Sequence, residues 1–158
     1  ICNSHGGNVA VLDIAARRIR IQSSILVVNA MWARLGKPAF MSDPVENAYG
    51  IHAGHSETAV VMALRPDLVH HDKARNFVSR WQGAANSAPR LHPTAGAPLA
   101  WQAQDLHPAG AVGDASLATP EQGRELLAHA GAKMAELWSQ VAAFDVDTWL
   151  ANEPNPDA

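Results

Sequence analysis

The sequence predicts an α/β fold in which a mostly parallel sheet is covered by helices. A strand ending at positions 1–2 leads through a glycine turn into an amphipathic segment over positions 9–20. A nearly continuous apolar run follows at positions 24–30, and its β-branched residues are typical of a strand buried on both faces. Strand, helix and buried strand in this order predict a βαβ crossover, which joins neighbouring parallel strands.

Two further helices are predicted from apolar periodicity and from their termini. One spans positions 56–64 and ends before Pro66, because the residue before a proline disfavours helical backbone. The other spans positions 119–143, where Thr119, Pro120 and Gln122 are suited to be the N-cap, a first-turn proline and a capping-box partner. The residues predicted to face the core are Val11, Leu12, Ala15 and Ile19 in the first helix, Val60, Val61 and Leu64 in the second, and Leu127, Ala130, Met134, Leu137 and Val141 in the third.

The remaining segments are predicted to be loops, a short strand and a tail. Glycine, proline and polar residues predict loops at positions 34–50, 67–98 and 105–119, with the short strand at 99–104. The tail at positions 151–158 contains two prolines and is predicted to be disordered. Positions 1–150 are therefore predicted to form one domain, since a chain of 158 residues suffices for a single hydrophobic core.

The composition is that of a compact soluble protein. Apolar residues make up 47% of the chain and charged residues 17%. No run reaches the roughly 18 apolar residues of a membrane span, so we expect no membrane association. The formal charge of -3 comes from acidic and basic residues spread along the chain, so no basic stripe predicts nucleic acid as a partner. Small molecules or other proteins are the expected partners.

The single cysteine, Cys2, excludes an internal disulfide framework and favours a cytoplasmic location. Its place in the first strand predicts a small buried side chain rather than a nucleophile. The eight histidines favour a metal site, because histidine is the commonest metal-ligating side chain.

The turn after the first strand carries the first candidate site residue, His5. Ligands of βαβ structures usually bind at the carboxyl ends of the strands, which is where this histidine lies. Gly6 and Gly7 have no β-carbon, so they let the backbone pass close to whatever His5 contacts, and they permit positive φ. The alternative interpretation is a helix-entry turn in which His5 only caps the helix.

A second group of ionisable residues lies at positions 51–58, where His52, His55 and Glu57 are close in sequence. Glu57 falls in the first turn of a predicted helix, where a carboxylate interacts favourably with the helix dipole. One interpretation is therefore a purely stabilising role for Glu57. In the other, His52 and Glu57 face the same cleft as His5 and act on a metal-bound water.

Together the two motifs resemble those of the creatininase family. Asn-Ser-His-Gly-Gly-Asn at positions 3–8 is similar to the family's Asn-Gly-His-Gly-Gly-Asn signature. His-Ala-Gly, two variable residues and Glu-Thr at positions 52–58 resemble its second signature, as does Ala-Leu-Arg-Pro-Asp-Leu-Val at 63–69. The stretch at 110–119 with Gly123 resembles the approach to the last helix of the family. The resemblance covers nearly the whole chain in the right order.

The resemblance implies a three-layer α/β/α fold, of which the amino-terminal part is missing, and hydrolysis of a non-peptide or cyclic amide, or of a formamide, at a two-metal centre. It makes His5 a metal ligand, gives His52 a role in proton transfer at the scissile amide, and places Glu57 at the metal or beside one of its ligands. Neutral imidazole suits zinc, iron or manganese, and such a metal lowers the pKa of bound water towards neutrality. Trp32 is expected either to line the substrate pocket or to be an ordinary core residue, and further substrate contacts are expected from Gly6, Gly7 and Asn8.

Two features of the sequence depart from the family pattern. Creatininase itself has tyrosine and glutamate where this chain has Gly6 and Gly7, so creatinine is not the expected substrate. Many relatives have glutamate at the position of His55, which we interpret as a tolerated variation rather than as a new ligand.

The ligand set implied by the family leaves several hypotheses open. Family members bring a glutamate, a histidine and a bridging aspartate to the metals from a segment whose counterpart would precede Ile1, so either the sequence is a fragment or another chain completes the site. The first hypothesis is the carboxyl-terminal part of a metal-dependent amidohydrolase that acts on a small-molecule amide as a homo-oligomer. The second is a non-catalytic fragment or assembly subunit without metals. The third is a flavodoxin-like domain that binds phosphate at the glycine turn.

Overall fold

The computed structural model describes residues 1–23 and 25–151. Its helices are α1 (Val9–Gln22), α2 (Pro44–Tyr49), α3 (His55–Leu64), α4 (Arg80–Ala84), α5 (Ala103–Leu106), α6 (Pro120–Ala143) and α7 (Val146–Ala151). Its strands are β1 (Cys2–Asn3), β2 (Ala30–Met31), β3 (Asn76–Phe77), β4 (Leu91–His92), β5 (Ala97–Pro98) and β6 (Gly113–Asp114). Short 3-10 helices lie at Gly6–Asn8, Trp32–Arg34, Pro66–Leu68, His71–Lys73 and Ala115–Leu117.

The predicted βαβ crossover is present at the start of the chain. β1 pairs in parallel with β2, with Cys2 opposite Ala30 and Asn3 opposite Met31, and α1 connects the two strands. The other two-stranded sheets in the described residues are β4–β5, which is parallel, and β3–β6, which is antiparallel. The α/β class with mostly parallel pairing is therefore confirmed.

The described chain divides into two compact units. One comprises Ile1–Lys37 with the described residues from His129 onward, and the other comprises Pro38–Ala128. The buried apolar residues of the first unit are Ala16, Ala30 and Ala130. Those of the second unit are Ala59, Met62, Leu106, Val112, Ala115 and Leu126, of which Ala59 and Val112 are fully buried. The single domain expected over positions 1–150 stays a prediction.

α6 packs against α3 through a glycine. A β-carbon built on Gly123 would overlap the carbonyl oxygen of Ala59 and would lie 2.8 Å from the β-carbon of Ala63. The start of α6 is capped as predicted, because the Gln122 N–H donates to Thr119 Oγ1 over 3.2 Å and the Thr119 N–H donates to Gln122 Oε1 over 3.0 Å. The small residues at this contact allow the two helix backbones to approach closely.

The predicted core faces of the helices are partly wrong. On α1, Val11 and Ile19 are 68% and 43% exposed, and Ala16 is buried instead. On α3, the buried residues are His55, Ala59 and Met62, whereas Val61 and Leu64 are exposed; on α6, Val141 is exposed. Apolar residues surround much of α1 and α3, so their spacing does not single out one face. The closest packing uses small residues, which periodicity arguments weigh least.

The first sheet is also less buried than its sequence predicts. Ser24 lies outside the described residues, and between positions 25 and 31 only Ala30–Met31 forms a strand. Ile25 is 61% exposed, and Cys2 is exposed although we expected it to be buried. The sheet has only two strands within the described residues, so its edges are open and the apolar run is not enclosed on both faces.

Several predicted loops contain short elements. α2 lies within positions 34–50, α4 and β3 to β5 lie within 67–98, and β6 lies within 105–119. The strand predicted at 99–104 is absent, and α5 begins at Ala103 instead. α2 and α4 each start on one capping residue. Asp43 accepts hydrogen bonds from the first turn of α2, and Ser79 accepts one from Trp81 in the first turn of α4.

The carboxyl-terminal region differs from its prediction in one respect. α7 follows α6 and ends at Ala151, which the sequence places in the tail. The rest of the predicted disordered tail lies outside the described residues. Among the helices of the described chain, none has the length and apolar character needed to cross a membrane.

Candidate active site

Asn3 organises the turn that carries His5. Its side chain is buried, with 5% exposure, and its Nδ2 donates to the His5 carbonyl oxygen over 2.9 Å. Its Oδ1 accepts from the His5 N–H over 3.2 Å and from Asn8 Nδ2 over 3.4 Å. One buried amide therefore satisfies both backbone groups of His5 and fixes the entry to α1. The sequence interpretation gave Asn3 no role, although a polar residue at the end of a buried strand was the available signal.

The His5 ring lies over Gly7 and is exposed to solvent. A β-carbon on Gly7 would lie 2.7 Å from His5 Nε2, whereas a β-carbon on Gly6 would contact nothing within 4 Å. Neither glycine has positive φ, so the conformational freedom that we anticipated is not used. Gly7 therefore lets the exposed imidazole lie close over the backbone of the turn, and a β-carbon there would displace the ring.

Trp32 lies at the same sheet edge as His5. His5 follows β1 and Trp32 follows β2, and the two strands are parallel and directly paired. Both residues therefore extend from the carboxyl ends of neighbouring strands, where α/β proteins usually bind ligands. Trp32 is half-buried in its 3-10 helix, so its exposure does not decide between a pocket-lining residue and a core residue.

His52 and Glu57 are brought together in the second unit. His52 Nδ1 lies 3.8 Å from Glu57 Oε2, and the two side chains are 46% and 56% exposed. The same carboxylate oxygen accepts the Ala53 N–H over 2.6 Å. Glu57 thus binds the backbone before α3 and also lies beside the His52 imidazole, so the geometry is compatible with either of the two interpretations of this residue.

The residue between His52 and the helix has a strained backbone. Ala53 has φ of +53°, a left-handed conformation that costs about 1–2 kcal/mol for a residue with a β-carbon. Its N–H is held by Glu57, and its carbonyl oxygen accepts from Thr58 Oγ1 over 3.2 Å. Such strain persists only where surrounding contacts over-determine it, and it concentrates at functional sites.

The backbone of His52 is anchored to a buried residue. His52 forms an isolated antiparallel bridge with Val112, with hydrogen bonds of 3.1 Å from the His52 N–H and 2.6 Å from the Val112 N–H. Val112 is fully buried. The bridge therefore holds the base of the His52 side chain while the imidazole stays in solvent.

Glu46 is a residue that the sequence interpretation missed. It lies in α2, inside the segment predicted to be a loop, and its carboxylate accepts the N–H groups of His55 and Asp114, each over 2.8 Å. These partners are 9 and 68 residues away in sequence, so no local pattern marks the interaction.

His55 is a buried structural residue. It is 8% exposed, its Nε2 lies 2.9 Å from Gln122 Oε1, and its ring centroid lies 5.4 Å from that of Phe40. Because Gln122 Oε1 also accepts the Thr119 N–H, it is an acceptor, and His55 Nε2 is the donor. His55 thus connects α3 to the start of α6, which fits a tolerated variation better than a ligand.

An exposed ion pair directly follows α3. Arg65 donates from Nε and from its terminal nitrogen to the Asp67 carboxylate, over 2.9 and 2.6 Å. The hydrogen bonds from Arg65 hold the pKa of Asp67 below its ordinary value. Both side chains are exposed, so solvent screens this pair and its contribution to stability is small.

The described residues do not complete a metal centre by themselves. Within positions 1–23 and 25–151, no group of three or more histidine, cysteine, aspartate or glutamate side chains is arranged to hold a metal ion. A closed site needs three or four protein ligands. The ligand roles expected of His5 and Glu57 therefore stay predictions.

A small cavity lies elsewhere in the second unit. It has a volume of about 90 Å³, and its walls include Glu46, Ser79 and Asp114, whereas His52 and Glu57 do not line it. Pockets for small ligands usually measure about 300–1,000 Å³. The His52–Glu57 pair therefore lies outside the walls of this cavity.

The signatures and the fold agree with those of known proteins. The family described as creatininase, creatinine amidohydrolase, matches residues 1–138. The chain is 29% identical over 126 residues to a mycofactocin precursor peptide peptidase of Mycobacterium ulcerans, with 80% of this chain and 42% of that protein covered. A crystal structure of a protein assigned as a creatinine amidohydrolase from Bacteroides fragilis matches with a TM-score of 0.69 and 24% identity, over 92% of this chain and 54% of the other.

The two matches cover most of this chain but a smaller share of each relative. The chain spans about half the length of the relatives that it matches, at 42% and 54% of their residues. The solved structure shows a shared α/β fold, as the signatures implied. Since the family match covers 1–138 of 158 residues, the chain belongs to the creatininase family.

Proposed function

We propose that the chain forms the His5- and His52-bearing part of a metal-dependent amidohydrolase. The proposed substrate is a small molecule with a non-peptide or cyclic amide, or a formamide group. The observation that carries the proposal is the placement of Glu57 Oε2 at 3.8 Å from His52 Nδ1, on a loop held in a strained conformation. Family membership supports amide hydrolysis as the reaction class.

The His52–Glu57 pair is suited to proton transfer. In the proposed reaction, the imidazole of His52 takes a proton from water and passes it to the leaving nitrogen of the amide. Glu57 Oε2, which lies 3.8 Å from His52 Nδ1 and is itself held by the Ala53 N–H, limits the positions that the ring can take. The exposure of both side chains leaves room for a substrate to approach.

His5 and Trp32 carry the roles proposed for the first unit. The exposed imidazole of His5 would be one metal ligand, and Trp32, at the same sheet edge, would contact the substrate together with Gly6, Gly7 and Asn8. A divalent metal such as zinc, iron or manganese supplies activated water for hydrolysis when it is bound. Its other ligands would come from a longer chain or from another subunit of a homo-oligomer.

Two alternatives compete with this proposal. The relative from Mycobacterium ulcerans is named a peptide peptidase, which makes a peptide bond a second candidate substrate. The second alternative is a non-catalytic fragment or assembly subunit of such an enzyme. Neither nucleic acid nor a membrane is a proposed partner, and the proposed location is the cytoplasm.

Activity and metal content of the intact gene product test the proposal. We expect stoichiometric metal by mass spectrometry and hydrolysis of at least one compound in a panel of cyclic amides, formamides and short peptides. His52→Ala should lower turnover by about 10²- to 10⁴-fold with metal retained, because a proton-transfer group is lost. His5→Ala should lower the metal content.

His70→Ala is the matched control, since His70 is an exposed histidine of the second unit outside both signatures. It should change neither metal content nor turnover. Full activity of His52→Ala would contradict the proposed role of that residue. A gene product without metal and without hydrolysis of any panel compound would establish the non-catalytic alternative.

A further inference from the structure

We propose that Glu46 is a positioning residue whose carboxylate fixes the loop that carries His52 and the start of α3, which carries Glu57. The proposal concerns the geometry of that loop, and its effect on turnover rests on the proposed function. Glu46 is half-buried and lies on α2, outside both family signatures. Its two carboxylate oxygens each bind a different backbone segment of the candidate site.

The first oxygen caps a helix that lacks a cap of its own. α3 begins at His55, and its N-cap residue Gly54 has no side chain to accept the free N–H groups of the first turn. Glu46 Oε1 accepts the His55 N–H over 2.8 Å. A carboxylate at this position satisfies an orphan donor and also interacts favourably with the helix dipole.

The second oxygen holds the opposite side of the same loop. Glu46 Oε2 accepts the Asp114 N–H over 2.8 Å, at the end of β6. Val112, two residues before Asp114, forms the backbone bridge with His52, which lies three residues before His55. One carboxylate thus clamps both chain segments that meet at the His52–Val112 bridge.

Two glycines leave open the space that this carboxylate occupies, since a β-carbon on Gly50 or Gly54 would overlap the Glu46 carboxylate. Gly113 lies beside them but needs glycine in any case, because its φ is +135° and a β-carbon there would lie 2.8 Å from the Cα atoms of Gly50 and Gly54. Gly50 and Gly54 have φ of -81° and -83°, values that any residue can adopt. Turn geometry therefore does not require glycine at those two positions, whereas the Glu46 carboxylate, held by two backbone N–H groups, occupies the space that a β-carbon would take.

Hydrogen exchange in the full-length protein tests the clamp without reference to activity. In Glu46→Gln the amide group presents only one acceptor, so one backbone N–H loses its partner. We expect at least 10-fold faster exchange at the His55 or Asp114 amide, and also at the amides of the bridge residues His52 and Val112. Asp105→Asn is the control, because Asp105 also accepts a backbone N–H at a helix start in the same unit. It should leave these four amides unchanged.

Turnover provides the second readout. Loss of support behind a reacting group typically costs about 10- to 100-fold in activity. We expect Glu46→Gln to lower kcat by that factor with KM and metal content unchanged, and Glu46→Asp, which keeps both oxygens, to recover part of it. Asp105→Asn should leave kcat unchanged even if it lowers the melting temperature by as much as Glu46→Gln does.

The outcomes separate this inference from the proposed function. Unchanged exchange at His52 and Val112 in Glu46→Gln, or in Glu46→Asp should the first variant fail to fold, would overturn the positioning role. Faster exchange with unchanged kcat would also overturn it, leaving Glu46 as a structural residue. If the wild-type protein hydrolyses nothing, the proposed function fails, and the exchange data alone decide whether Glu46 fixes the loop.

Discussion

Replacing Gly123 with alanine should destabilise the protein, although alanine is the better helix former. Helix propensity alone favours alanine over glycine by about 1 kcal/mol. Against this, the new β-carbon would overlap the Ala59 carbonyl oxygen and crowd Ala63, so the α3 backbone would have to move away from α6. Overpacking of this kind costs about 1–3 kcal/mol, and backbone contacts fall at the upper end. The expected net loss is therefore about 2 kcal/mol.

Gly131 on the same helix provides the control. It is exposed, and a β-carbon built on it meets nothing within 4 Å, so only helix propensity applies. Gly131→Ala should stabilise the protein by about 1 kcal/mol. For a protein of this size, about 1 kcal/mol shifts the melting temperature by roughly 2–4 °C. The two variants should therefore move it in opposite directions.

Thermal and urea unfolding followed by circular dichroism measure both changes. Gly123→Ala should melt about 4–8 °C below the wild type, and Gly131→Ala about 2–4 °C above it. A Gly123→Ala protein as stable as the wild type would show that the α3–α6 contact is looser than described. A loss of stability in both variants would refute the assignment of open space around Gly131.

Three further predictions follow from individual contacts. Ala53→Gly should raise the free energy of unfolding by up to about 1 kcal/mol in urea titrations, because glycine adopts the left-handed backbone without strain; a decrease would count against that strain. Hydrogen bonds from Thr148 lower the pKa of Asp145, so the stability that they give α7 is present above the ordinary carboxylate pKa and is lost as pH falls through the lowered value. Thr148→Val should raise the pKa of Asp145 in an NMR titration, and an unchanged value would refute the cause. His55→Ala should cost about 2–3 kcal/mol, because it opens a cavity and removes the partner of Gln122, while metal content stays unchanged; metal loss would instead make His55 a ligand.

The sequence predicted the features that local signals encode. The βαβ crossover was predictable because β1, α1 and the apolar segment before β2 follow one another in a short stretch of chain. The start of α6 was predictable because its capping residues lie within four positions. Both candidate motifs could be identified by residue type and spacing, and the pairing of His52 with Glu57 follows from their nearness at the start of α3.

The features that the sequence did not predict depend on distant contacts. Glu46 reaches Asp114 across 68 residues, and neither position has a periodic neighbour that marks it. The strands have two residues each, too few to show alternation, and two of the shortest helices start on single caps in otherwise polar segments. Core faces were misassigned where alanine, rather than valine or leucine, makes the closest contact, as Ala59 does against Gly123.

The space shared by Glu46, Gly50 and Gly54 limits which substitutions this region accepts. A side chain at Gly50 or Gly54 is excluded while the Glu46 carboxylate is present, and removing the carboxylate alone would leave the backbone donors of His55 and Asp114 without partners. Single substitutions at these positions are therefore each unfavourable, whereas a paired exchange could be neutral, since residues that share one volume do not contribute additively. Among related proteins, substitutions at Glu46, Gly50 and Gly54 should therefore appear together or not at all.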